Sequence, residues 1–361
     1  MLAIKIVILV FAVIGGLDYI FGGRLGLAKE FVNGLMLMGT MLISMQGMIV
    51  IAPLLADWLS PVFGFVRDFL HMDPSIIPAS LFANDMGGAP LAKEIMTSSD
   101  IGMFNALVVS SMMGCTISFT IPFALGLVPK EQHKSLLLGL LCGIVTIPIG
   151  CFAGGLVCGI SILPLLWNLF PLILLAAIIG FGLLKFPDLC VKIFAGLGWF
   201  MKALITVGLL CGIAYFLTGY AIFPAVETSW DEGIAICTNA AVFLAGAFPF
   251  VCVVARLLRR PLRSFGKVLK INETSALCLV SSLASSSPTF GMMRLMDERG
   301  AVLNSAFAVS GAFVFAGHLA FTVAFDAAYV PAMVVGKLVA GVLALFVAIF
   351  ISKRTAKTQT E

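Results

Sequence analysis

The sequence is 361 residues long, and 61% of its residues are hydrophobic while only 11% are charged. A soluble domain has about 25% charged and about 45–50% apolar residues, so this apolar excess cannot be hidden in a water-soluble core. The net charge of +4 is small and gives no sign of nucleic-acid binding. A mean hydropathy of +1.12 predicts a protein whose surface is largely covered by lipid.

Nine apolar runs are each long enough to cross a bilayer, for which a helix needs about 20 residues. Unbroken apolar runs favour helices over barrel strands, because a helix satisfies its own backbone hydrogen bonds in hydrocarbon. The first run is interpreted as a span rather than a secretion signal, because no clear cleavage site follows it. The predicted spans are Leu2–Phe21, Phe31–Leu55, Ile101–Val128, Ser135–Ile160, Ile162–Leu184, Gly196–Tyr220, Gly233–Leu257, Ala301–Ala328 and Pro331–Ile351.

Two further apolar stretches are broken centrally by glycine, proline or small polar residues, and we name them hairpin one (Pro74–Met96) and hairpin two (Thr274–Leu295). This pattern indicates re-entrant hairpins or discontinuous helices. The predicted fold is therefore an all-α polytopic membrane protein. It has about nine transmembrane helices plus two re-entrant hairpins or broken helices, which makes ten to eleven membrane segments.

The charges of the loops predict the orientation of the chain. The loop 256–270 and the C-terminal tail are basic, so both are expected in the cytoplasm, whereas the acidic loop 221–232 is expected outside. Both basic segments can be cytoplasmic only if hairpin two does not cross the membrane. The basic residues are Arg256, Arg259, Arg260, Arg263, Lys267 and Lys270 in the loop, and Lys353, Arg354 and Lys357 in the tail.

An offset of about 200 residues relates the two halves of the chain. Asn105–Ser111 aligns with Asn304–Ser310, and each run follows a hairpin. Because an odd number of crossings separates equivalent elements, the halves are predicted to form an inverted repeat, as in secondary transporters. The predicted parts are a first repeat at 1–160, a linker helix at 161–190, a second repeat at 191–352 and a cytoplasmic tail at 353–361.

Asn84 and Asp85 lie at the centre of hairpin one. A carboxylate at membrane depth costs about 2.5–3.5 kcal/mol on insertion scales, which favours a functional role. Gly87 and Gly88 relax the backbone and Pro90 removes a donor, so nearby carbonyls are expected to be free to bind a cation. In the alternative interpretation, Asn84 or Asp85 caps the second half-helix.

Hairpin two has a matching polar break, made of Ser285, Ser286, Ser287, Pro288 and Thr289. Hydroxyls and freed carbonyls suit a small polar ligand or a sodium ion, although an ordinary loop turn is the alternative.

The span after hairpin two has three polar residues on one face, His318, Thr322 and Asp326, at a spacing of four. His318 is predicted either to line the ligand path or to make a packing hydrogen bond between helices.

The sequence does not favour an enzyme, a metal site or a cofactor. Ser310 and His318 are too far apart along one helix, about 12 Å, to form a catalytic dyad. The nine cysteines form no C-x-x-C pair and are interpreted as small apolar residues between helices. Coupling of transport to Na+ or H+ is left open by the sequence.

Five motifs resemble the ethanolamine-utilisation permease family (EutH): Ala83–Glu94, Ser111–Gly114, Gly143–Leu156, Phe290–Gly300 and Ala306–Phe321. The resemblance implies a bacterial inner-membrane permease for ethanolamine uptake, with a cytoplasmic C-terminus and with lipid and a small amine as partners. An alternating-access carrier is the favoured mechanism. The alternatives are an ion-coupled carrier of another small amine or amino acid, and an amine channel.

Overall fold

The computed structural model describes residues 2–358. The side chains at positions 2–4, 255, 258–265, 267 and 353–358 lie outside this description. Seven of the predicted cytoplasmic basic side chains are among them, namely Arg259, Arg260, Arg263, Lys267, Lys353, Arg354 and Lys357. Within the described residues the protein is all-α and has no β-strand, which confirms the predicted class.

Long apolar sequences produce the helices, and short polar or glycine-containing segments end them. The first half contains α1 (Leu2–Ile20), α2 (Ala28–Met41), α3 (Gly47–Trp58), α4 (Ser60–Asp68), α5 (Ile76–Leu81), α6 (Gly88–Ile95), α7 (Ser99–Phe104), α8 (Ile121–Leu127) and α9 (His133–Val157). The second half contains α10 (Ile162–Lys185), α11 (Pro187–Thr218), α12 (Val226–Leu269), α13 (Glu273–Ser282), α14 (Ser287–Gly291), α15 (Glu298–Gly311), α16 (Gly317–Asp326) and α17 (Val330–Thr358).

Wider π-helical turns interrupt two of the long helical runs. Leu42–Gln46 joins α2 to α3, while Asn105–Gly114 and Thr116–Thr120 connect α7 to α8. Such turns often occur at functional sites, because they re-aim carbonyl groups and side chains.

Seven helical stretches in the described part of the chain are long and apolar enough to span a membrane. They are Ala28–Trp58, Ser99–Leu127, Lys130–Val157, Ile162–Lys185, Pro187–Thr218, Val226–Val254 and Gly317–Ser352. The protein is therefore polytopic, and the predicted count of nine spans stays a prediction. The last stretch contains a turn, because Asp326 is extended (φ −157°, ψ 106°) and a 3-10 turn follows at Ala327–Tyr329.

The outer helices leave much of their apolar surface uncovered. Only 33% of the apolar window of α10 and 22% of that of α11 is buried inside the protein. Leu163, Trp199 and Leu217 are each more than 70% exposed on these two helices. Apolar surface of this extent is unfavourable in water, so it fits contact with lipid.

The helices pack in two groups. In the first, α9 contacts α15 and α17, and the run Ser99–Leu127 lies against them; in the second, α12 contacts α1 and α2, and α11 contacts α3. Small residues allow the close packing of α9, since a Cβ added to Gly150 would lie only 2.5 Å from the Cβ of Ala340. Thr146 reinforces this contact by donating from its hydroxyl to the carbonyl oxygen of Ala340 at 3.0 Å.

Candidate functional site

Hairpin one is broken between α5 and α6, at the position that the sequence predicts. Phe82 and Ala83 are extended, Asn84–Met86 forms a 3-10 turn, and Gly87 has a φ of +102°. A left-handed backbone of this kind favours glycine. No side chain caps α6, which begins after Gly87, so the alternative in which Asn84 or Asp85 caps this helix is wrong.

Asn84 lies at the tip of this break and is completely buried. Neither its amide nitrogen nor its amide oxygen has a hydrogen-bond partner within the protein. Buried polar side chains in folded proteins are nearly always paired, so an unpaired amide indicates a ligand or water position. Asp85, next to it, is half-buried and brings a carboxylate to the same turn.

Hairpin two is broken between α13 and α14, and its polar residues divide into two kinds. Thr289 pairs with the hydroxyl of Ser282 at 2.7 Å and donates to the carbonyl oxygen of Cys278 at 3.1 Å. The hydroxyl of Ser285 accepts the backbone N–H of Ser287 at 3.3 Å. Ser286 is different, because its side chain is completely buried and its hydroxyl has no partner.

The predicted eighth span is also broken, which the sequence analysis did not foresee. Residues 312–316 separate α15 from α16, and Phe313 has a φ of +62°. The backbone N–H of Phe313 donates to Ser282 at 3.0 Å, and that of Phe315 donates to Leu283 at 3.0 Å. The broken span is therefore hydrogen-bonded to the break of hairpin two.

Three polar atoms without a hydrogen-bond partner flank the break between α15 and α16. They are the hydroxyl of Ser310 at the end of α15, and Nδ1 of His318 and the hydroxyl of Thr322 on α16. All three side chains are at most 2% exposed. The ring of Phe313 lies 5.1 Å from that of His318, centroid to centroid, and the turn Asn84–Met86 contacts α16.

Other buried side chains with an unpaired atom differ from these residues. Gln46, Gln132 and Asn304 each leave an amide oxygen free, but each nitrogen donates to a carbonyl oxygen, of Trp230, Met293 and Ser275 respectively. These three amides hold segments together. We name the residues that make no such bond the unpaired cluster, and they are Asn84, Ser286, Ser310, His318 and Thr322.

Lys337 is a fully buried cation that the sequence analysis missed. It lies in the middle of α17, is 1% exposed, and its Nζ donates to the carbonyl oxygen of Ser111 at 2.7 Å. The segment Asn105–Gly114, which holds Ser111, also contacts the turn Asn84–Met86 that carries Asp85. A lysine at the centre of the last apolar run is itself a signal, since charges within membrane segments are rare and functional.

Each hairpin is anchored by a carboxylate outside its break. Asp73 accepts the N–H groups of Ser75, Thr97 and Ser98 within 3.0 Å, so it joins the two ends of hairpin one. Asp297 accepts from the backbone of Asn272 at 2.8 Å and from the hydroxyl of Ser275 at 2.9 Å, which joins the two ends of hairpin two.

In each half of the chain an asparagine also binds the start of the hairpin. Asn105 donates to the hydroxyl of Ser75 at 2.9 Å, and Asn304 donates to the carbonyl oxygen of Ser275 at 2.9 Å. Ser75 and Ser275 are 200 positions apart and Asn105 and Asn304 are 199 apart, whereas Asp73 and Asp297 are 224 apart.

Lys93, at the end of hairpin one, contacts two other elements. Its Nζ lies 2.6 Å from Oε1 of Glu232 on α12 and 5.6 Å from the ring centroid of Phe325 on α16. Both partners of the ion pair are more than a third exposed, so their contact contributes at most about 1 kcal/mol. Lys93 therefore forms an ion pair at the end of hairpin one and is not part of its buried polar break.

Comparison with known proteins identifies the family. The family described as "Ethanolamine utilisation protein, EutH" matches residues 2–351. The chain is 44% identical over 313 residues to a protein of Listeria monocytogenes serotype 1/2a (strain 10403S) named "Probable ethanolamine permease EutH", covering 87% of this chain and 84% of that protein.

Two other relatives are similar to the chain over most of its length. The identity is 38% to a protein of the same name from Escherichia coli (strain K12), over 83% of this chain and 79% of the relative. It is 37% to "Uncharacterized protein YxeR" of Bacillus subtilis (strain 168), over 88% and 86% respectively. No solved structure matches the chain. The resemblance inferred from the motifs is confirmed, and the chain belongs to the EutH family, a family of membrane permeases rather than of enzymes.

Proposed function

We propose that this chain carries ethanolamine into the bacterial cell across the inner membrane by alternating access. The unpaired cluster is the observation that carries the proposal. It places hydrogen-bonding groups without partners around three backbone breaks and beside Asp85. The names of the relatives supply the substrate.

The chemistry of ethanolamine fits these groups. Its ammonium requires a carboxylate or carbonyl oxygens, and Asp85 supplies the carboxylate. Its hydroxyl both donates and accepts, as the amide of Asn84, the imidazole of His318 and the hydroxyl of Ser286 can also do. Four heavy atoms contribute at most about 1.5 kcal/mol each, so the Kd is expected near tens of micromolar or weaker.

We assign distinct roles to the residues of the site. Asn84, Asp85, Ser286 and His318 contact the substrate, and Ser310 and Thr322 complete the polar lining. Ser285, Ser287 and Thr289 shape the hairpin-two side of the site, where Pro288 starts α14. Gly87, Gly88 and Pro90 set the backbone of hairpin one around Asn84.

The proposed architecture has nine spans and two re-entrant hairpins, arranged as an inverted repeat with a cytoplasmic C-terminus. Residues 1–160 and 191–352 form the halves and 161–190 forms the linker. The matched anchors support this arrangement, since Asp73 and Asp297 join the ends of their hairpins in similar ways. The break between α15 and α16 then corresponds to the π-helical segments Asn105–Gly114 and Thr116–Thr120, since each follows a hairpin.

The inverted repeat predicts that the two hairpins open to opposite sides of the membrane. In a background without the native cysteines, Lys93→Cys is expected to react with an impermeant maleimide from outside intact cells. Arg294→Cys is expected to react only after the inner face is exposed. Labelling of both positions from one side would contradict the repeat.

Counterflow is the experiment that tests the function. Liposomes containing the purified protein and loaded with unlabelled ethanolamine are expected to accumulate labelled ethanolamine transiently, which a carrier does and a channel does not. Empty liposomes provide the control. Absence of saturable counterflow would overturn the carrier, and stronger competition by another small amine would change the substrate.

A further inference from the structure

Lys337 places a buried ammonium group in the middle of α17, close to the proposed site. Its aliphatic stem and ammonium are enclosed by protein, and its one hydrogen bond goes to the carbonyl oxygen of Ser111 in the π-helical turn Asn105–Gly114. A buried ammonium needs a compensating negative charge, because removal from water strongly disfavours an isolated ion. Asp85 supplies the carboxylate, because its turn, Asn84–Met86, packs against the same segment Asn105–Gly114 that Lys337 binds.

Among the described residues, no charge other than that of Asp85 is found near Lys337. Besides Asp85, the titratable groups that face it are Cys115, Cys151 on α9 and His318 on α16. The segment of α15 between Ala301 and Gly311 has no titratable residue. Asp326 and Tyr329 lie near the start of α17, about 12 Å or more along the helix from Lys337. Without substrate, the carboxylate of Asp85 and the ammonium of Lys337 cancel, so the net charge of the site is zero.

We infer that Lys337 is the resident counter-cation of Asp85, and that it loses a proton when a substrate ammonium takes its place beside that carboxylate. The inference rests on the proposed function. The two groups lie on elements that pack against the same segment Asn105–Gly114, and no direct ion pair joins them among the described residues. A second cation beside Asp85 would leave one positive charge without a partner, and the lysine can remove it by deprotonation.

The proton balance follows from this step. On the outer side, the Lys337 ammonium becomes a neutral amine and releases one proton to external water as one ethanolammonium ion binds. On the inner side, the substrate leaves and Lys337 takes one proton from internal water. The empty carrier then returns with that proton. Each cycle moves one ethanolammonium ion inward and one proton outward, so the transport is electroneutral.

The wild-type protein provides the first test. In liposomes, an inside-acid pH gradient is expected to drive labelled ethanolamine uptake at least tenfold above the protein-free leak. A potassium diffusion potential set with valinomycin, inside negative, is expected to change the rate by less than twofold. Acceleration by the potential of tenfold or more, or indifference to the pH gradient, would overturn the inference while leaving the carrier function intact.

The variant Lys337→Met tests the residue itself, with the exposed Lys202→Met as its matched control. Counterflow needs no return of the empty carrier, so the ratio of uptake driven by the pH gradient to counterflow is the readout for Lys337→Met. Its uptake driven by the pH gradient is expected to fall at least tenfold, whereas Lys202→Met keeps both activities. If Lys337→Met keeps uptake driven by the pH gradient, the inference is wrong. The protein would then carry the neutral amine without a proton transfer at Lys337.

If Lys337→Met does not fold, Lys337→Arg decides, because arginine keeps the cation but cannot release a proton. Its uptake driven by the pH gradient is expected to fall at least tenfold, and uptake at the wild-type rate would overturn the inference.

Discussion

Replacing Asp85 with asparagine is expected to lower ethanolamine counterflow by at least tenfold. The amide keeps the shape of the side chain but removes the charge that holds the substrate ammonium. A hydrogen bond to a charged group contributes about 1.5–3 kcal/mol, which corresponds to about 10- to 150-fold in affinity. The measurement is the concentration dependence of counterflow in liposomes, where the loss should appear as a higher half-saturation concentration.

The control for this variant is Asp231→Asn, which removes an exposed carboxylate at the start of α12. It is expected to leave counterflow unchanged. Melting temperatures of both variants in detergent separate a binding defect from unfolding. Wild-type counterflow in a folded Asp85→Asn protein would falsify the placement of the ammonium at this carboxylate.

Gly114→Ala is expected to cause the largest loss of stability among single methyl additions near the site. A Cβ at this position would overlap the carbonyl oxygen of Phe82 and lie 2.7 Å from that of Ala79, so the backbone of hairpin one would have to move. Overpacking of this kind costs about 1–3 kcal/mol, and backbone atoms cannot rotate away as a side chain can. The expected results are a lower melting temperature and loss of counterflow.

Gly126→Ala is the matched control, because it lies in α8 of the same helical run and no atom approaches its added Cβ within 4 Å. Alanine favours a helix by up to about 1 kcal/mol over glycine, so this control is expected to be neutral or slightly stabilising. Equal melting temperatures for the two variants would show that hairpin one does not depend on contact with Gly114.

The helical class and the breaks of both hairpins could be predicted because their signals are local. Apolar runs of about 20 residues indicate spanning helices, and Gly87, Gly88 and Pro288 mark backbone that leaves a regular helix. Asn84 and Ser286 could be selected for the same reason, since polar residues inside apolar stretches are unusual. The structure adds that their side chains have no protein partner.

The break between α15 and α16 could not be predicted, because its sequence is as apolar as the helices around it. Only Gly311 and Gly317 flank Ala312–Ala316. At this break the backbone N–H groups of Phe313 and Phe315 donate to carbonyl oxygens of hairpin two, about 30 residues earlier in the chain. Lys337 was missed for a different reason. A lone lysine within a span indicates a functional role, but its partner, the carbonyl oxygen of Ser111, lies 226 positions away in the chain and is found only in the fold.

The pairing of Phe313 and Phe315 with Ser282 and Leu283 has a consequence for biosynthesis. Hairpin two emerges from the ribosome before residues 312–316. The carbonyl oxygens of Ser282 and Leu283 therefore lack hydrogen-bond partners until Phe313 and Phe315 have been synthesised. Unpaired peptide groups are not tolerated in lipid, where each costs several kcal/mol. Membrane insertion of hairpin two is therefore expected to be completed only when α15 and α16 have followed it, and a chain truncated after Leu295 should be recognised by quality-control proteases as unfinished.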